Sequence, residues 1–416
     1  MKFIIEGGRP LKGVMEVSGA KNAALKMITA SILSDKPSTL SNVPEISDIK
    51  TMIKIIEGLG GKVKKKDSRL TIDASSLNHA HPPDDLIGLI RASVVVVGPL
   101  LARFGKAQIS QPGGCLIGAR PITTHIDAFQ KLGAKVTQRD GYIYFEANKL
   151  KGQTVVLDEM SVTATENILM AACLAQGETE IKMAAAEPEI EDLAHFLNKM
   201  GAKIQGAGTH VIKIKGVKKL KGASYKVIPD RIEAGTLAIA AAASKGEVEI
   251  KNVIPSHLDM FLDKLKQANV NLKVTANSLF VKPTTIFHPI FIDTRPYPGF
   301  PTDLQAPMAV LLTQANGTSK IFETLYEDRF NYVKELVKMG ASATILDPHT
   351  LIIQGPRPLY GKKITTYDLR AGATLVIASL IATGKSEIEN IELIDRGYEG
   401  LDKRLNKLGA KIQRVE

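Results

Sequence analysis

The chain has 416 residues, of which 44% are hydrophobic and 23% are charged. This length is too great for one simple core and predicts two large domains, and no apolar run approaches the ~20 residues that span a bilayer. The two cysteines exclude a disulfide framework and the N-terminal segment lacks a long apolar core, so we expect a cytoplasmic protein without a membrane partner.

The formal net charge of +11 suits either an anionic small molecule or a nucleic acid. The basic residues are scattered, except for two clusters at residues 62–66 and 215–221. Both clusters have the pattern of solvated hairpins. We therefore favour an anionic small-molecule substrate and expect no nucleic-acid partner.

A helix-ending motif recurs along the chain at intervals of 68 to 73 residues. Glycine and asparagine are the residues that most often end a helix in the left-handed conformation. The recurrence predicts six repeated units of about 70 residues each. The helix-ending residues are Gly60, Gly133, Gly201, Asn269, Gly340 and Gly409.

Each unit also has an earlier helix that is apolar almost all round, which is typical of a buried helix. A short strand, an amphipathic helix and a hairpin follow it. The predicted apolar helices are residues 20–33, 90–104, 163–176, 232–244, 303–316 and 370–383.

The sixth unit stops at residue 416 without a last hairpin strand, and the missing strand is found at the other end of the chain. Residues 3–13 read much like residues 351–361 of the fifth unit. The N-terminus is therefore predicted to complete the sixth unit. Six units then divide into two domains of three, one containing residues 1–20 and 230–416 and the other residues 21–229.

Basic residues stand at the predicted starts of three apolar helices, at Lys21, Arg91 and Arg370. The positive end of the helix dipole disfavours them there, so we expect an anionic partner. Salt bridges between the domains are the alternative. Asp303 occupies the matching place in the fifth unit, where it is either a general base or a plain helix cap.

The loop of residues 111–121 contains Cys115 among three glycines, with Arg120 close behind. It makes the connection from strand to helix longer than in the third unit, and lengthened loops on a scaffold often carry function. A thiol near cationic groups ionises more readily, so Cys115 is a candidate acid or nucleophile. The alternative is a mobile surface loop with an incidental cysteine. Cys173 lies in an apolar run and is predicted to be core.

Other charged residues fall at equivalent ends of the repeats, namely Arg329, Arg396 and Asp368. Together with the residues above they predict a cationic cleft with two carboxylates and one thiol. There is no phosphate-binding glycine motif and no set of cysteines or histidines with metal-ligand spacing. We therefore predict acid–base group transfer on an anionic substrate, without a metal or other cofactor.

Several motifs resemble the family of UDP-N-acetylglucosamine enolpyruvyl transferases, within the EPSP synthase superfamily. They are residues 18–25, 91–93, 98–103, 112–115, 118–121, 300–303, 368–372 and 395–399. The resemblance runs the full length and implies two inside-out α/β barrels of three units each. It also implies transfer of enolpyruvyl from phosphoenolpyruvate to the 3′-hydroxyl of UDP-N-acetylglucosamine, the first committed step of peptidoglycan synthesis.

The resemblance assigns roles by position. Lys21 and Asn22 would hold phosphoenolpyruvate, Arg120 and Arg396 would grip its phosphate, and Arg370 would lie near its carboxylate. Cys115 would be the general acid, Asp303 the base on the sugar hydroxyl, and Asp368 a further proton carrier. The expected nucleotide-sugar and substrate contacts are Arg91, Arg120, Pro121, Ile122, Thr123, Thr124, Ser161, Val162, Thr163, Leu325 and Arg329.

Three residues depart from the family pattern and put the uridine contacts in question. Thr123 stands where aspartate is frequent, Glu159 where lysine is common, and Thr163 where glycine is common. No obligate protein partner is inferred.

Two rival functions remain open. The sister enzyme that makes 5-enolpyruvylshikimate 3-phosphate lacks a cysteine loop like that of residues 112–121. A catalytically silent nucleotide-sugar or RNA-binding scaffold would not need Lys21, Cys115, Asp303 and Arg396 together.

Overall fold

The computed structural model describes residues 1–113, 118 and 120–416. Within the described chain, contacts separate two compact units. The terminal unit contains residues 1–18 and 229–416, and the central unit contains residues 19–113 and 120–228. Cys115 lies outside the described residues.

The helices alternate with short strands throughout the described chain. The α-helices are α1 (Lys21–Ala30), α2 (Ser47–Gly58), α3 (Asp84–Ile87), α4 (Val97–Phe104), α5 (Thr123–Lys131), α6 (Val162–Ala172), α7 (Pro188–Lys199), α8 (Arg231–Ala243), α9 (Asp259–Gln267), α10 (Thr302–Leu312), α11 (Val333–Lys338), α12 (Leu369–Ile381) and α13 (Leu401–Lys407). Short 3₁₀ helices cover Ser31–Leu33, Arg91–Val96, Pro255–Leu258 and Ile391–Arg396. None of the described helices is long and apolar enough to cross a membrane.

The strands are three to six residues long. They are β1 (Lys2–Glu6), β2 (Lys12–Glu16), β3 (Ser38–Ser41), β4 (Lys62–Lys66), β5 (Arg69–Asp73), β6 (Lys106–Ser110), β7 (Lys135–Arg139), β8 (Tyr142–Glu146), β9 (Thr154–Val156), β10 (Glu178–Lys182), β11 (Lys203–Gln205), β12 (Val211–Lys215), β13 (Ser224–Lys226), β14 (Glu247–Lys251), β15 (Leu272–Val274), β16 (Ser278–Val281), β17 (Phe291–Asp293), β18 (Gly317–Phe322), β19 (Ser342–Asp347), β20 (Thr350–Gly355), β21 (Lys363–Thr365), β22 (Lys385–Glu389) and β23 (Ile412–Val415).

The described strands form separate small sheets in each unit. The sheet of β6, β7 and β8 is antiparallel, and the others contain both parallel and antiparallel pairs. The strand orders in the central unit are β13-β3-β5-β4, β6-β8-β7 and β11-β12-β10-β9. Those in the terminal unit are β15-β16-β14-β2, β17-β18-β20-β19 and β21-β22-β1-β23. Inner strands such as β10 bury every second residue, because successive side chains point to opposite faces and one face covers the core.

The first strand of the chain belongs to the sheet made by the last strands. β1 pairs antiparallel with β22, where Lys2 lies opposite Glu389, and with β23, where Lys2 lies opposite Val415. The strand pairing predicted from the similarity between residues 3–13 and 351–361 is therefore present.

The predicted helix-ending residues all have positive φ angles. Without a Cβ atom glycine adopts this conformation at little cost, and asparagine tolerates it. The φ angles are +96° at Gly60, +89° at Gly133, +105° at Gly201, +63° at Asn269, +108° at Gly340 and +92° at Gly409.

Apolar helices form the middle of each unit. In the terminal unit α8, α10 and α12 pack against one another, and their alanine, leucine and isoleucine side chains are buried. In the central unit α1, α4 and α6 are buried in the same way. These helices hold the candidate site, because its side chains lie at or near their first residues.

The predicted continuous helix at residues 90–104 is wrong in one respect. A 3₁₀ helix covers Arg91–Val96, and the α-helix begins only at Val97. At this point the amide side chain of Asn167 accepts from the Gly98 N–H at 2.7 Å and donates to the Val94 carbonyl at 2.9 Å, and Pro99 has no N–H to bond back to Val95. Asn167 therefore occupies both partners of one i→i−4 backbone bond, and the helix is interrupted there.

Candidate functional site

In the terminal unit the carboxylate of Asp303 is held between two buried arginines. Its Oδ1 accepts from Arg329 Nη2 at 2.5 Å, and its Oδ2 accepts from Arg370 Nη2 at 2.9 Å. The Asp303 side chain is 29% exposed, whereas those of Arg329 and Arg370 are 5% and 6% exposed. Pro301 is at the N-cap position of helix α10, and no side chain caps this helix.

Arg370, the second residue of α12, lies against the ring of Tyr398, 5.3 Å from its centroid. The Tyr398 hydroxyl in turn lies 2.9 Å from Thr236 Oγ1 on α8. Burial alone would lower the pKa of Arg370, but the negative charges of Asp303 and Asp230 and the contact with Tyr398 raise it overall. Arg370 therefore stays cationic inside the unit.

Asp368, the second predicted carboxylate, is the N-cap of α12. Its Oδ1 accepts from the backbone N–H groups of Arg370 at 2.8 Å and Ala371 at 2.9 Å, and its Oδ2 accepts from Asn331 Nδ2 at 3.1 Å. This carboxylate fixes the first turn of α12, which carries Arg370.

The buried carboxylate of Glu323 was not singled out from the sequence. Its Oε1 accepts from Thr294 Oγ1 at 2.8 Å and from the Leu325 N–H at 2.9 Å, and its Oε2 accepts from Thr302 Oγ1 at 2.7 Å. Thr302 is the first residue of α10, so Glu323 ties the start of that helix to the loop of Leu325. The sequence feature that could have identified Glu323 is its position as a charged residue directly after strand β18.

Arg396 is the last residue of the 3₁₀ helix Ile391–Arg396, which packs on α12. Its side chain is half-buried. The neighbouring Asp395 carboxylate accepts from two nitrogens of Arg414, each at 2.8 Å. This pair fixes the residue next to Arg396 on the body of the terminal unit.

In the central unit Lys21 is the first residue of α1, which has no side-chain cap and no acidic residue in its first turn. Its Nζ lies 2.7 Å from Asp48 Oδ2, and both side chains are buried. Asn22 follows and is half-buried. Within the unit, this basic helix start is therefore paired with a carboxylate from the first turn of α2.

Arg91 holds the chain that follows the Cys115 loop. Its Nη2 donates to the carbonyl of Arg120 and, at 3.1 Å, to that of Pro121. Arg120 is half-buried, whereas Ile122 is buried directly before α5. Arg91 therefore positions the backbone that carries Arg120.

Two of the residues that depart from the family pattern contact side chains of helix α5. Glu159 Oε1 accepts from Thr124 Oγ1 at 3.3 Å, and Thr163 Oγ1 lies 3.0 Å from His125 Nε2. Thr123 is exposed at the first position of α5. Burial, reinforced by the positive charge of Arg91, lowers the pKa of His125 to about 3, so its ring is neutral.

A second buried ion pair of the central unit was also not predicted. Lys26 Nζ on α1 lies 3.4 Å from Glu166 Oε2 on α6. Burial raises the pKa of Glu166 to about 7, although Lys26 opposes this shift. Single charged residues in otherwise apolar helices were the available sequence signal.

Comparison with known proteins agrees with these features. The family model for EPSP synthase (3-phosphoshikimate 1-carboxyvinyltransferase) matches residues 5–405. UDP-N-acetylglucosamine 1-carboxyvinyltransferase of Halothermothrix orenii is 48% identical over 415 residues, covering 100% of both chains. UDP-N-acetylglucosamine 1-carboxyvinyltransferase 2 of Carboxydothermus hydrogenoformans is 49% identical, covering 100% of this chain and 99% of its own.

The chain belongs to the UDP-N-acetylglucosamine 1-carboxyvinyltransferase family. This is a family of transferases, and the resemblance found in the sequence motifs is confirmed over the full length.

Solved structures of enolpyruvyl transferases share the mixed α/β fold of this carboxyvinyltransferase-family chain. The enolpyruvyl transferase NikO from Streptomyces tendae has a TM-score of 0.90 at 26% identity and covers 99% of this chain and 98% of its own. EPSP synthase from Acinetobacter baumannii has a TM-score of 0.75 at 18% identity and covers 100% of both chains. The latter likeness concerns the fold alone.

In this carboxyvinyltransferase-family chain, the described site residues form two groups. One group, in the terminal unit, brings Asp303 together with Arg329 and Arg370. The other, in the central unit, contains the Arg91–Arg120 contact and the Thr163–His125 contact. The two guanidinium groups hold the carboxylate in one position, and arginines of this kind can bind anionic groups close to it.

Proposed function

We propose that this chain transfers the enolpyruvyl group of phosphoenolpyruvate to the 3′-hydroxyl of UDP-N-acetylglucosamine and releases phosphate, the first committed step of peptidoglycan synthesis. Full-length identity to relatives whose names state a carboxyvinyl transfer to this sugar nucleotide supports the proposal. The structural observation that carries it is the Asp303 carboxylate held between Arg329 and Arg370.

The proposed chemistry is addition followed by elimination. Asp303 takes the proton of the sugar 3′-hydroxyl, and the 3′-oxygen of the sugar bonds to C2 of phosphoenolpyruvate. At the same time the Cys115 thiol gives a proton to C3. In the second step the Cys115 thiolate takes a proton back from C3, the C2–C3 double bond re-forms, and the C2–oxygen bond to phosphate breaks. Phosphate leaves with the electron pair of that bond, so the reaction needs no redox partner.

The basic residues bind the two anionic groups of phosphoenolpyruvate in this proposal. Arg120 and Arg396 grip the phosphate, Lys21 and Asn22 hold the same molecule, and Arg370 lies near its carboxylate. Arginine suits these roles because its planar fork pairs with carboxylate and phosphate through two hydrogen bonds. Asp368 supports Arg370 through the first turn of α12 and is the further proton carrier.

We also propose the finer architecture that the family resemblance implies. Each unit would be an inside-out barrel of three repeats, with domains at residues 1–20 plus 230–416 and at residues 21–229. The three small sheets and the buried apolar helices described in each unit support this division.

The test is phosphate release from phosphoenolpyruvate with each acceptor in turn. UDP-N-acetylglucosamine is expected to support release, whereas shikimate 3-phosphate and RNA are not. Release with shikimate 3-phosphate alone would contradict the proposal in favour of the sister activity. No release with any acceptor, with tight binding of the nucleotide sugar, would indicate a silent scaffold.

A further inference from the structure

The fully buried carboxylate of Glu323 joins two segments that carry residues of the proposed site. On one side its Oε2 accepts from the hydroxyl of Thr302, 2.7 Å away, and Thr302 is the first residue of α10. On the other side its Oε1 accepts from the Leu325 N–H at 2.9 Å. Asp303 directly follows Thr302, so one side chain holds both the neighbour of the proposed base and the backbone of a proposed nucleotide-sugar contact.

The position of Glu323 is itself fixed by its neighbours. The Thr294 hydroxyl accepts from the Thr324 N–H at 2.9 Å, which can only donate, so its own proton points to Glu323 Oε1, 2.8 Å away. The Glu323 N–H donates to the His349 carbonyl at 2.8 Å, and the Glu323 carbonyl accepts from His349 Nδ1 at 2.6 Å. The main chain and both carboxylate oxygens of Glu323 are therefore held in place.

The start of α10 is built differently from the starts of the two helices that pack against it. Aspartate side chains cap α8 and α12, at Asp230 and Asp368, whereas Pro301 is at the N-cap position of α10 and no side chain caps that helix. The hydrogen bond from Thr302 to Glu323 instead connects the first turn of α10 to the residue that follows β18. This turn carries the proposed base.

We propose that Glu323 is a positioning residue that serves two parts of the proposed site, the base through Thr302 and the nucleotide-sugar loop through the Leu325 N–H. This rests on the proposed function. A general base must lie within hydrogen-bond reach of the hydroxyl, so a small displacement of Asp303 slows the reaction. Displacement of the backbone at Leu325 weakens binding of the nucleotide sugar. The two hydrogen bonds therefore affect different measured quantities.

The first test is Thr302→Val, which removes the hydroxyl at nearly constant shape. Its kcat should fall by about tenfold, because the turn that carries Asp303 loses its connection to Glu323. The Kd for UDP-N-acetylglucosamine, measured by titration calorimetry, should be unchanged. Ser319→Ala on β18 is the matched control, since it also removes one buried hydrogen bond, from the Ile290 N–H, and should change neither quantity.

The second test compares two replacements of Glu323. Glu323→Ala removes both bonds, so it should lower kcat and raise the Kd for UDP-N-acetylglucosamine, each by about tenfold. Glu323→Gln should behave like wild type, because its amide oxygen can accept from the Leu325 N–H while its amide nitrogen donates to the Thr302 hydroxyl. If Glu323→Ala does not fold, Thr302→Val and Glu323→Gln still decide the question.

Three outcomes would overturn the inference. They are a wild-type kcat for Thr302→Val, a loss of nucleotide-sugar affinity in that variant as large as its loss of kcat, and a defect in Glu323→Gln equal to that in Glu323→Ala. A failure of the proposed function looks different, because wild type itself would then release no phosphate from phosphoenolpyruvate with UDP-N-acetylglucosamine.

Discussion

At the scale of single residues, Asp303 depends on partners that are remote in sequence. Arg329 and Arg370 lie 26 and 67 residues further along the chain. The sequence allowed Asp303 to be a helix cap or a base, and α10 has no side-chain cap. The arginine contacts give its carboxylate a position that a capping role does not require.

Replacing Asp303 separates catalysis from binding. Asp303→Asn should lower kcat by at least about a hundredfold, because an amide cannot accept the hydroxyl proton. The free energy of unfolding should also fall by about 1–3 kcal/mol, because two buried arginines lose a charged partner. A lower melting temperature would show this loss. Phosphoenolpyruvate binding should survive, as titration can show. Turnover within a few-fold of wild type would move the base elsewhere, first to Asp368.

The two cysteines should differ sharply in reactivity. Cys173 is fully buried, donates to the Leu169 carbonyl at 3.2 Å, and has a pKa raised by burial to about 12. An epoxide should therefore label Cys115 and spare Cys173. Mass spectrometry of the intact and digested protein reads this out, and a label mainly on Cys173 would contradict it. Cys115→Ala should abolish turnover, whereas Cys115→Asp should retain some.

Glu166 should make the stability of the protein depend on pH. Its folded pKa of about 7 is above the ordinary value of 4.5, so the folded state holds the proton more tightly than the unfolded state. Its contribution to the free energy of unfolding is complete below the ordinary pKa and is lost as the pH rises to about 7. Glu166→Gln cannot ionise and keeps that contribution.

Thermal unfolding of wild type and Glu166→Gln at about pH 5 and about pH 8 measures this effect. The stability of the glutamine variant relative to wild type should rise by on the order of 1–3 kcal/mol across that interval. Lys26→Met is the matched control. Because this variant loses the positive charge that opposes the raised pKa of Glu166, its stability should continue to decline to a higher pH than that of wild type. Parallel pH profiles for all three proteins would rule the effect out.

At the scale of helices and strands, the left-handed helix ends offer a comparison within the chain. The φ of Gly133 is +89°, and no atom lies within 4 Å of an added Cβ, so the cost of a side chain there is purely conformational. Gly133→Ala should lower the free energy of unfolding by about 1–2 kcal/mol. Gly133→Asn should cost less, because Asn269 occupies the equivalent place. Denaturant unfolding measures the free energy of unfolding of both variants. Equal losses in the alanine and asparagine variants would contradict this prediction.

These helix ends could be predicted from the sequence because the backbone preference of glycine is local. Burial of Cys173 was predictable for a similar reason, since its whole surrounding segment is apolar. The partner of Lys21 was not predictable, because Asp48 is one of many carboxylates and only the packing of α1 on α2 selects it. The contribution of Asn167 to the interruption before α4 escaped prediction too, since this residue lies on another helix.

At the scale of the whole molecule, the ends of the chain are neighbours in one sheet. Lys2 lies opposite Val415 in an antiparallel pair, so a short turn could join the termini as a hairpin. A circular permutant with that link, opened in the exposed turn at residues 67–68, should fold and retain activity.

Deletion of residues 1–8 is the matched comparison. It removes β1 from between β22 and β23, leaves their backbone groups unpaired, and should strongly lower the melting temperature. Circular dichroism and calorimetry distinguish the two proteins. A deletion as stable as wild type would show that the pairing of β1 adds little.

The position of β1 in its sheet also determines when this strand can pair during synthesis on the ribosome. At about 5–20 residues per second, its partner β23 emerges roughly 20–80 s after it. All strands of the central unit are made within that interval and can complete their sheets first. During this interval β1 is an apolar segment without its partner strands. The charges of Lys2 and Glu6 at its two ends disfavour pairing with other chains. β1 is made before both of its partners and can pair only after they emerge, so nascent chains stalled before β22 should carry it exposed.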